Sequence, residues 1–286
     1  MSLSAHKLHK PLFVLIALQI GMLFLLTPPL FSHYTENDNT EKKHAEKEKN
    51  SSSTNQHPKK TDSAKTVETP DYVKRHLRQQ PDSPIHGIDV SHYQGNIDWP
   101  SVASSHVRFA YLKATQGSDY VDPSFSHNMA HIRKTTLLVG PYHFFDPKVD
   151  TKQQLDNFLT TIKGQTLNLV PMVDVESNEQ LTAQEVQKSL LKFLQQLEKR
   201  IGCQPIIYSY ASFWQTDITA EFDNYSFWLA DFSKTPHPPA GVKHWDIWQY
   251  SDKGQIPGIE GPVDMDVIMD GEAKLKTLSC HYSRSS

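Results

Sequence analysis

The chain has 286 residues and a formal net charge of −3, enough for one or two domains with no excess of either sign. No basic stripe interleaved with aromatics occurs, which argues against nucleic acid as a partner. Two cysteines, Cys203 and Cys280, are too few for a disulfide scaffold and lack zinc-site spacing. One bond between them in an oxidising compartment and a buried free Cys203 are both open readings.

The first ten residues carry Lys7 and Lys10 and no acid. Residues 11–31 then run without a charge, close to the roughly 20 apolar residues that cross a bilayer. The positive flank predicts the N-terminus inside and the remainder outside the cytoplasm. A cleaved signal peptide is the competing reading, but its apolar region is usually about 7–15 residues and ends in a small-residue site. Here the run is longer and ends T-P-P-L-F-S-H-Y. The expectation is therefore a signal anchor over residues 1–31, with secretion as the alternative. Residues 32–84 are rich in Glu, Lys, Asn, Ser, Thr and Gln and poor in large apolar residues. Such a segment cannot bury enough surface to offset its ordering entropy, so it reads as a disordered linker. About 50 flexible residues reach roughly 40 Å.

Globular patterning begins at Ile85 and defines a third region, 85–286. Strands are predicted at 86–90, 109–114, 137–144, 170–175, 206–209, 227–230, 247–250 and 263–267. Helices are predicted at 98–105, 123–134, 152–164, 182–202 and 210–218. The 182–202 helix has the clearest stripe, Val186, Leu190, Phe193, Leu194 and Leu197, with Gly202 as its stop. This alternation predicts an α/β fold, a TIM-like barrel with helices outside. Some strands lack a following helix, so the barrel should be irregular.

The central stretch is L-V-P-M-V-D-V-E-S, residues 169–177. It enters apolar, as a buried strand does, and leaves acidic. Asp174 and Glu176 are two residues apart, so their side chains share a face, with Cα atoms roughly 6.5–7 Å apart. Like charges so placed push one pKa up, leaving one carboxyl to give a proton and the other to hold charge. In a barrel, functional residues sit at the carboxyl ends of strands. Asp89 ends the first strand in H-G-I-D-V-S-H-Y-Q-G, and Asp264 lies in the last, in G-P-V-D-M-D-V-I. Closure of the barrel makes these two neighbours, so four acids would line one mouth. Tyr93, Tyr111, Tyr142, Tyr208, Trp228 and Trp248 offer ring faces for sugars, and Gln249 can bond a hydroxyl; core packing is the plainer reading of the same aromatics. The acids lack an accompanying His/Cys ligand pattern, so neither metal nor cofactor is expected. His143 reads as a core or supporting residue.

These phrases together resemble glycoside hydrolase family 25, the Chalaropsis-type lysozymes. The matching pieces are G-I-D-V-S-H-Y-Q-G with I-D-W, F-A-Y-L-K-A-T-Q-G, D-P-S-F, G-P-Y-H-F, P-M-V-D-V-E, P-I-I-Y-S, F-W-L-A, and W-Q-Y-S with G-P-V-D-M-D. They run in the family's order from Ile85 to about Leu275. The resemblance implies an irregular β/α barrel that hydrolyses the β-1,4 bond between N-acetylmuramic acid and N-acetylglucosamine. It implies Glu176 as general acid, Asp174 as the residue that orients the substrate's acetamido group, and Asp89 and Asp264 as the remaining acids. Two positions depart from the family's usual residues: Gln116 stands where Glu is common and Asp266 where Asn is common. Asp266 would add negative charge beside Asp264 and raise neighbouring pKa values.

The expected protein is thus a monomeric muramidase, tethered to a membrane through residues 11–31, with its barrel on the extracytoplasmic side and peptidoglycan glycan strands as partner. A non-catalytic peptidoglycan-binding envelope protein and a glycosidase of another N-acetylated polymer are the rivals.

Overall fold

A computed structural model describes residues 83–282. The expected anchor, and all of the expected linker but its last two residues, lie outside them. Among the described residues, no helix is long and apolar enough to cross a membrane.

The strands are β1 (Ile85–Val90), β2 (Val107–Gln116), β3 (Tyr120–Val121), β4 (Leu138–Phe144), β5 (Leu167–Leu169), β6 (Met172–Asp174), β7 (Ile206–Tyr210), β8 (Phe227–Ala230), β9 (Ile247–Gly254), β10 (Val263–Ile268) and β11 (Ser279–Tyr282). The helices are α1 (Trp99–Ala103), α2 (Phe125–Ile132), α3 (Thr151–Thr161), α4 (Ala183–Ile201) and α5 (Gly271–Thr277). A helical turn at Ala211–Phe213 runs into a π-helical turn at Trp214–Ile218. The main sheet orders β1-β10-β9-β8-β7-β6-β4-β2, and β1 pairs with β2 to close the ring; β3 folds back antiparallel on β2. This is the mixed α/β barrel expected from the alternating pattern.

Its irregularity has a specific form. Neighbours from β1 through β2, β4, β6, β7, β8 and β9 are parallel, but β10 runs antiparallel to both β9 and β1. No helix separates β9 from β10, so the chain turns straight back. The predicted strand at 170–175 is shortened to β6, and an unpredicted short strand, β5, precedes it. Pro171 has no N–H to give a ladder, so β5 ends before it and pairs with β11 in a separate two-stranded sheet. Only β6 joins the barrel.

The barrel interior is filled by rings that small residues admit. A side chain at Gly87 would stand 2.2 Å from the Phe109 ring, and one at Gly140 would stand 2.6 Å from Tyr111. Outside, α4 starts on a reciprocal cap between Thr182 and Glu185 and stops at Gly202, whose φ of 80° suits glycine. Its buried face includes Leu190, Phe193, Leu194 and Leu197. The rings of Phe193 and His143 stack 5.0 Å apart. His143 lies on the outer face of β4 and is fully buried. Gln154 accepts from the Asp146 amide with the same oxygen that faces His143 Nε2, so that nitrogen carries the proton and Nδ1 accepts from Thr115. Burial pushes His143 down to about 4, so it is a neutral supporting residue. Cys203 and Cys280 form a disulfide that ties the end of α4 to β11, resolving the two open readings of these cysteines.

Candidate active site

The four sequence-predicted acids meet at one end of the barrel. Asp174 ends β6, and Glu176 follows two residues later. The ladder continues past the strand, because the Val175 amide donates to the Tyr208 carbonyl at 3.0 Å. Ser209 Oγ donates to the Val175 carbonyl at 2.7 Å, and the Tyr210 hydroxyl to the Glu176 carbonyl at 3.3 Å. The backbone that carries the two acids is thereby fixed to β7. Asp89 lies opposite Asp264 in the β1–β10 register. Asp264 reaches the mouth from the amino end of its strand, because β10 runs in reverse.

The electrostatics follow from crowding acids in a dry place. Burial raises Asp89 to about 6; a Gln249 hydrogen bond opposes the rise and the Glu176 charge adds to it. Burial, then the charges of Asp89, Asp252 and Glu176, raise Asp264 to about 8. Asp174 is pushed well above the carboxylate range by burial and then by Glu176. Glu176 is also raised by burial, while a Tyr208 hydrogen bond and the Lys113 ammonium pull it back. A site with protonated and ionised carboxyls side by side near neutrality is equipped for acid–base cleavage.

Lys113 was not singled out from the sequence. It alternates inward on β2 with Phe109 and Tyr111, donates to Gln116 Oε1 at 2.9 Å, and stands 5.0 Å from the Phe144 ring centre. Burial lowers its pKa, and the charges of Asp174, Asp122 and Glu176 restore part of it. The available signal was a lysine on the inward face of a buried strand, which rarely occurs without a partner.

Gln249 is where a polar network crosses the barrel. Its Nε2 donates to Asp89 Oδ2 at 2.7 Å, and its Oε1 accepts from the Tyr208 hydroxyl at 2.9 Å. Tyr208 and Tyr142 stand among the acids, since both feel the charges of Asp89, Asp174 and Asp264. Tyr93 is on the rim, 72% exposed, its ring 4.1 Å from that of His92. His92 is in turn held by Asp122 at 2.8 Å. Two further exposed aromatics are Tyr210, the last residue of β7, and Phe232 after β8.

The expectation that Tyr111, Trp228 and Trp248 present ring faces to substrate is corrected, since all three are fully buried. Tyr111 and Trp228 pack edge-on at 4.8 Å below the acids. Trp248 precedes inward-facing Gln249 on a strand, so it faces outward; its indole N–H donates to the Asp231 carbonyl. Asp266 is buried too, and its Oδ1 accepts from the Trp228 indole at 3.2 Å. Among the described residues, no His/Cys/Asp/Glu group is arranged to hold a metal ion.

The sequence profile of glycosyl hydrolases family 25 matches residues 88–259. Lysozyme M1 of Streptomyces globisporus is 32% identical over 212 residues, covering 69% of this chain and 72% of its own. Protein YegX of Escherichia coli K12, described as uncharacterized, is 40% identical over 189 residues, 64% of this chain and 69% of that protein. The crystal structure of the bacterial lysozyme from Streptomyces coelicolor superposes with a TM-score of 0.63 at 31% identity, covering 68% of this chain and 96% of that one.

Proposed function

The chain belongs to glycosyl hydrolases family 25, and from that premise we propose that it is a peptidoglycan muramidase with Glu176 as general acid. It is a glycoside hydrolase. The observation that carries the finer reading is the mouth itself: Asp89, Asp174, Glu176 and Asp264 crowd together, all with raised pKa, with the half-buried ammonium of Lys113 beside Asp174 and Glu176.

Glu176, protonated because burial disfavours its charge, gives its proton to the leaving glycosidic oxygen. Asp174 Oδ1 is buried and has no donor. The acetamido N–H of the bound sugar supplies one, which turns the acetamido oxygen toward the anomeric carbon as the internal nucleophile. Such substrate assistance predicts retention of configuration. Asp89, raised only to about 6, offers negative charge to the oxocarbenium-like transition state, with Asp264 beside it as the more strongly raised partner. Tyr93 provides an exposed ring at the rim for a sugar face. Glu176→Gln preserves shape but gives no such proton, so turnover on purified peptidoglycan should fall about 10²–10⁴-fold. A variant that keeps more than half of wild-type turnover would remove Glu176 from this role. Proton NMR of the first-formed anomer tests the second step, and an α product would rule out retention.

The proposal extends to place. The charge-free run at 11–31 would anchor the chain, and the polar stretch 32–84 would let the barrel reach a wall layer outside the cytoplasm. The Cys203–Cys280 bond supports an oxidising, extracytoplasmic setting. C-terminally tagged protein should pellet with membranes and resist carbonate extraction. Recovery of a soluble form shortened by about the first 30 residues would replace the anchor with a cleaved signal.

A further inference from the structure

Asp266 is fully buried on the inner face of β10. Its two oxygens have different surroundings. Oδ1 accepts from the Trp228 indole at 3.2 Å, whereas Oδ2 has no donor. The Asp89 and Asp266 side chains meet as a hydrogen-bonding pair across the β1–β10 ladder. Asp89 already accepts from Gln249 on Oδ2. The groups that face Asp266 are Asp89 from β1, Asp264 on its own strand, Tyr111 from β2 and Trp228 from β8, while Tyr250 on β9 points outward to His86. None is a cation. Two bare carboxylates in contact at a fully buried position would each lack compensation, whereas one proton between them satisfies both.

We propose that Asp266 is a positioning residue that works as a neutral acid: its Oδ2–H donates to Asp89 and holds Asp89 ionised and oriented for the reaction. The inference rests on the muramidase reading for its kinetic consequence, though not for the protonation itself. What the site asks of residue 266 is one acceptor toward Trp228 and one donor toward Asp89, the pattern of an amide as much as of a carboxylic acid. Burial, followed by the charges of Asp89 and Asp264, pushes its pKa well up, in agreement with that geometry. Asp89 gains a second donor beside Gln249, and its own rise stops at about 6. The charge that the sequence suggested Asp266 would add is therefore absent from the working enzyme.

The test uses the full chain as wild type, Asp266→Asn and Asp266→Leu. Infrared difference spectra of wild type minus Asp266→Asn at pH 7 should contain a carboxylic-acid C=O band. A difference holding only carboxylate bands would overturn the proposal. On purified peptidoglycan, Asp266→Asn should keep a plateau kcat within a few-fold of wild type, with the basic limb of its pH profile at or above the wild-type position. Asp266→Leu, which leaves Asp89 one donor short, should lose about 10–10²-fold. Equal losses in the two variants, or a basic limb moved to lower pH by Asp266→Asn, would also overturn it. If Asp266→Leu fails to fold, the Asn variant and the spectrum still decide. If no hydrolysis is seen at all, the muramidase reading fails and the infrared result still stands or falls alone.

Discussion

Replacing Asp264 by Asn should stabilise the fold while slowing the reaction. Burial and the charges of Asp89, Asp252 and Glu176 lift the Asp264 carboxyl from 3.8 to about 8. An acid whose folded pKa is raised contributes its stability fully below its unfolded pKa and loses it as pH rises toward the folded value. The cost therefore accumulates between 3.8 and about 8. At about 1.4 kcal/mol per pKa unit, carrying this group folded at pH 7 costs at most about 4 kcal/mol. Part of the rise comes from neighbours that relax together once one acid is gone. The Asn variant should therefore recover a fraction, about 1–2 kcal/mol. For a domain of this size that is a Tm increase of roughly 2–8 °C at pH 7. Thermal unfolding followed by circular dichroism from pH 4 to pH 8 measures it. The gap between variant and wild type should be small at pH 4 and widen with pH, while peptidoglycan turnover drops. An equal gap at both ends, or a less stable variant, would refute the reasoning that the mouth holds strained carboxyls.

Lys113→Met removes the cation that favours the ionised forms of Asp174 and Glu176, so their pKa values should rise. The whole pH–activity bell should then shift to higher pH, and an unmoved bell would place Lys113 outside the electrostatics of the site. Pairing Cys203 with Cys280 closes a loop across a separation of 77 residues. The Cys203→Ser/Cys280→Ser double variant should lose about 2–4 kcal/mol, on the order of 5–15 °C in Tm, with turnover at low temperature retained; an unchanged Tm would count against the constraint.

Much of this protein is legible in the order of its residues. Alternating apolar runs and amphipathic stretches locate the strands and helices, because period 2 and period 3.6 are properties of the local backbone. The D-V-E step in 174–176 places two acids on one face by the same rule. The same rule separates Trp248 from Gln249, since consecutive strand residues face opposite ways, and only Gln249 faces the site. What the sequence leaves open depends on strand direction and on which side chains the barrel encloses. The reversal of β10 brings Asp264 to the mouth from the amino end of a strand, a consequence of pairing with β1 and β9 that no local pattern encodes. Enclosure turns Tyr111 and Trp228 from candidate platforms into core, and makes Lys113 the cation among the acids. Contact between Asp89 and Asp266 likewise joins residues far apart in the chain. Whether a carboxyl there is charged or neutral depends on water and partners, and only the folded barrel sets those.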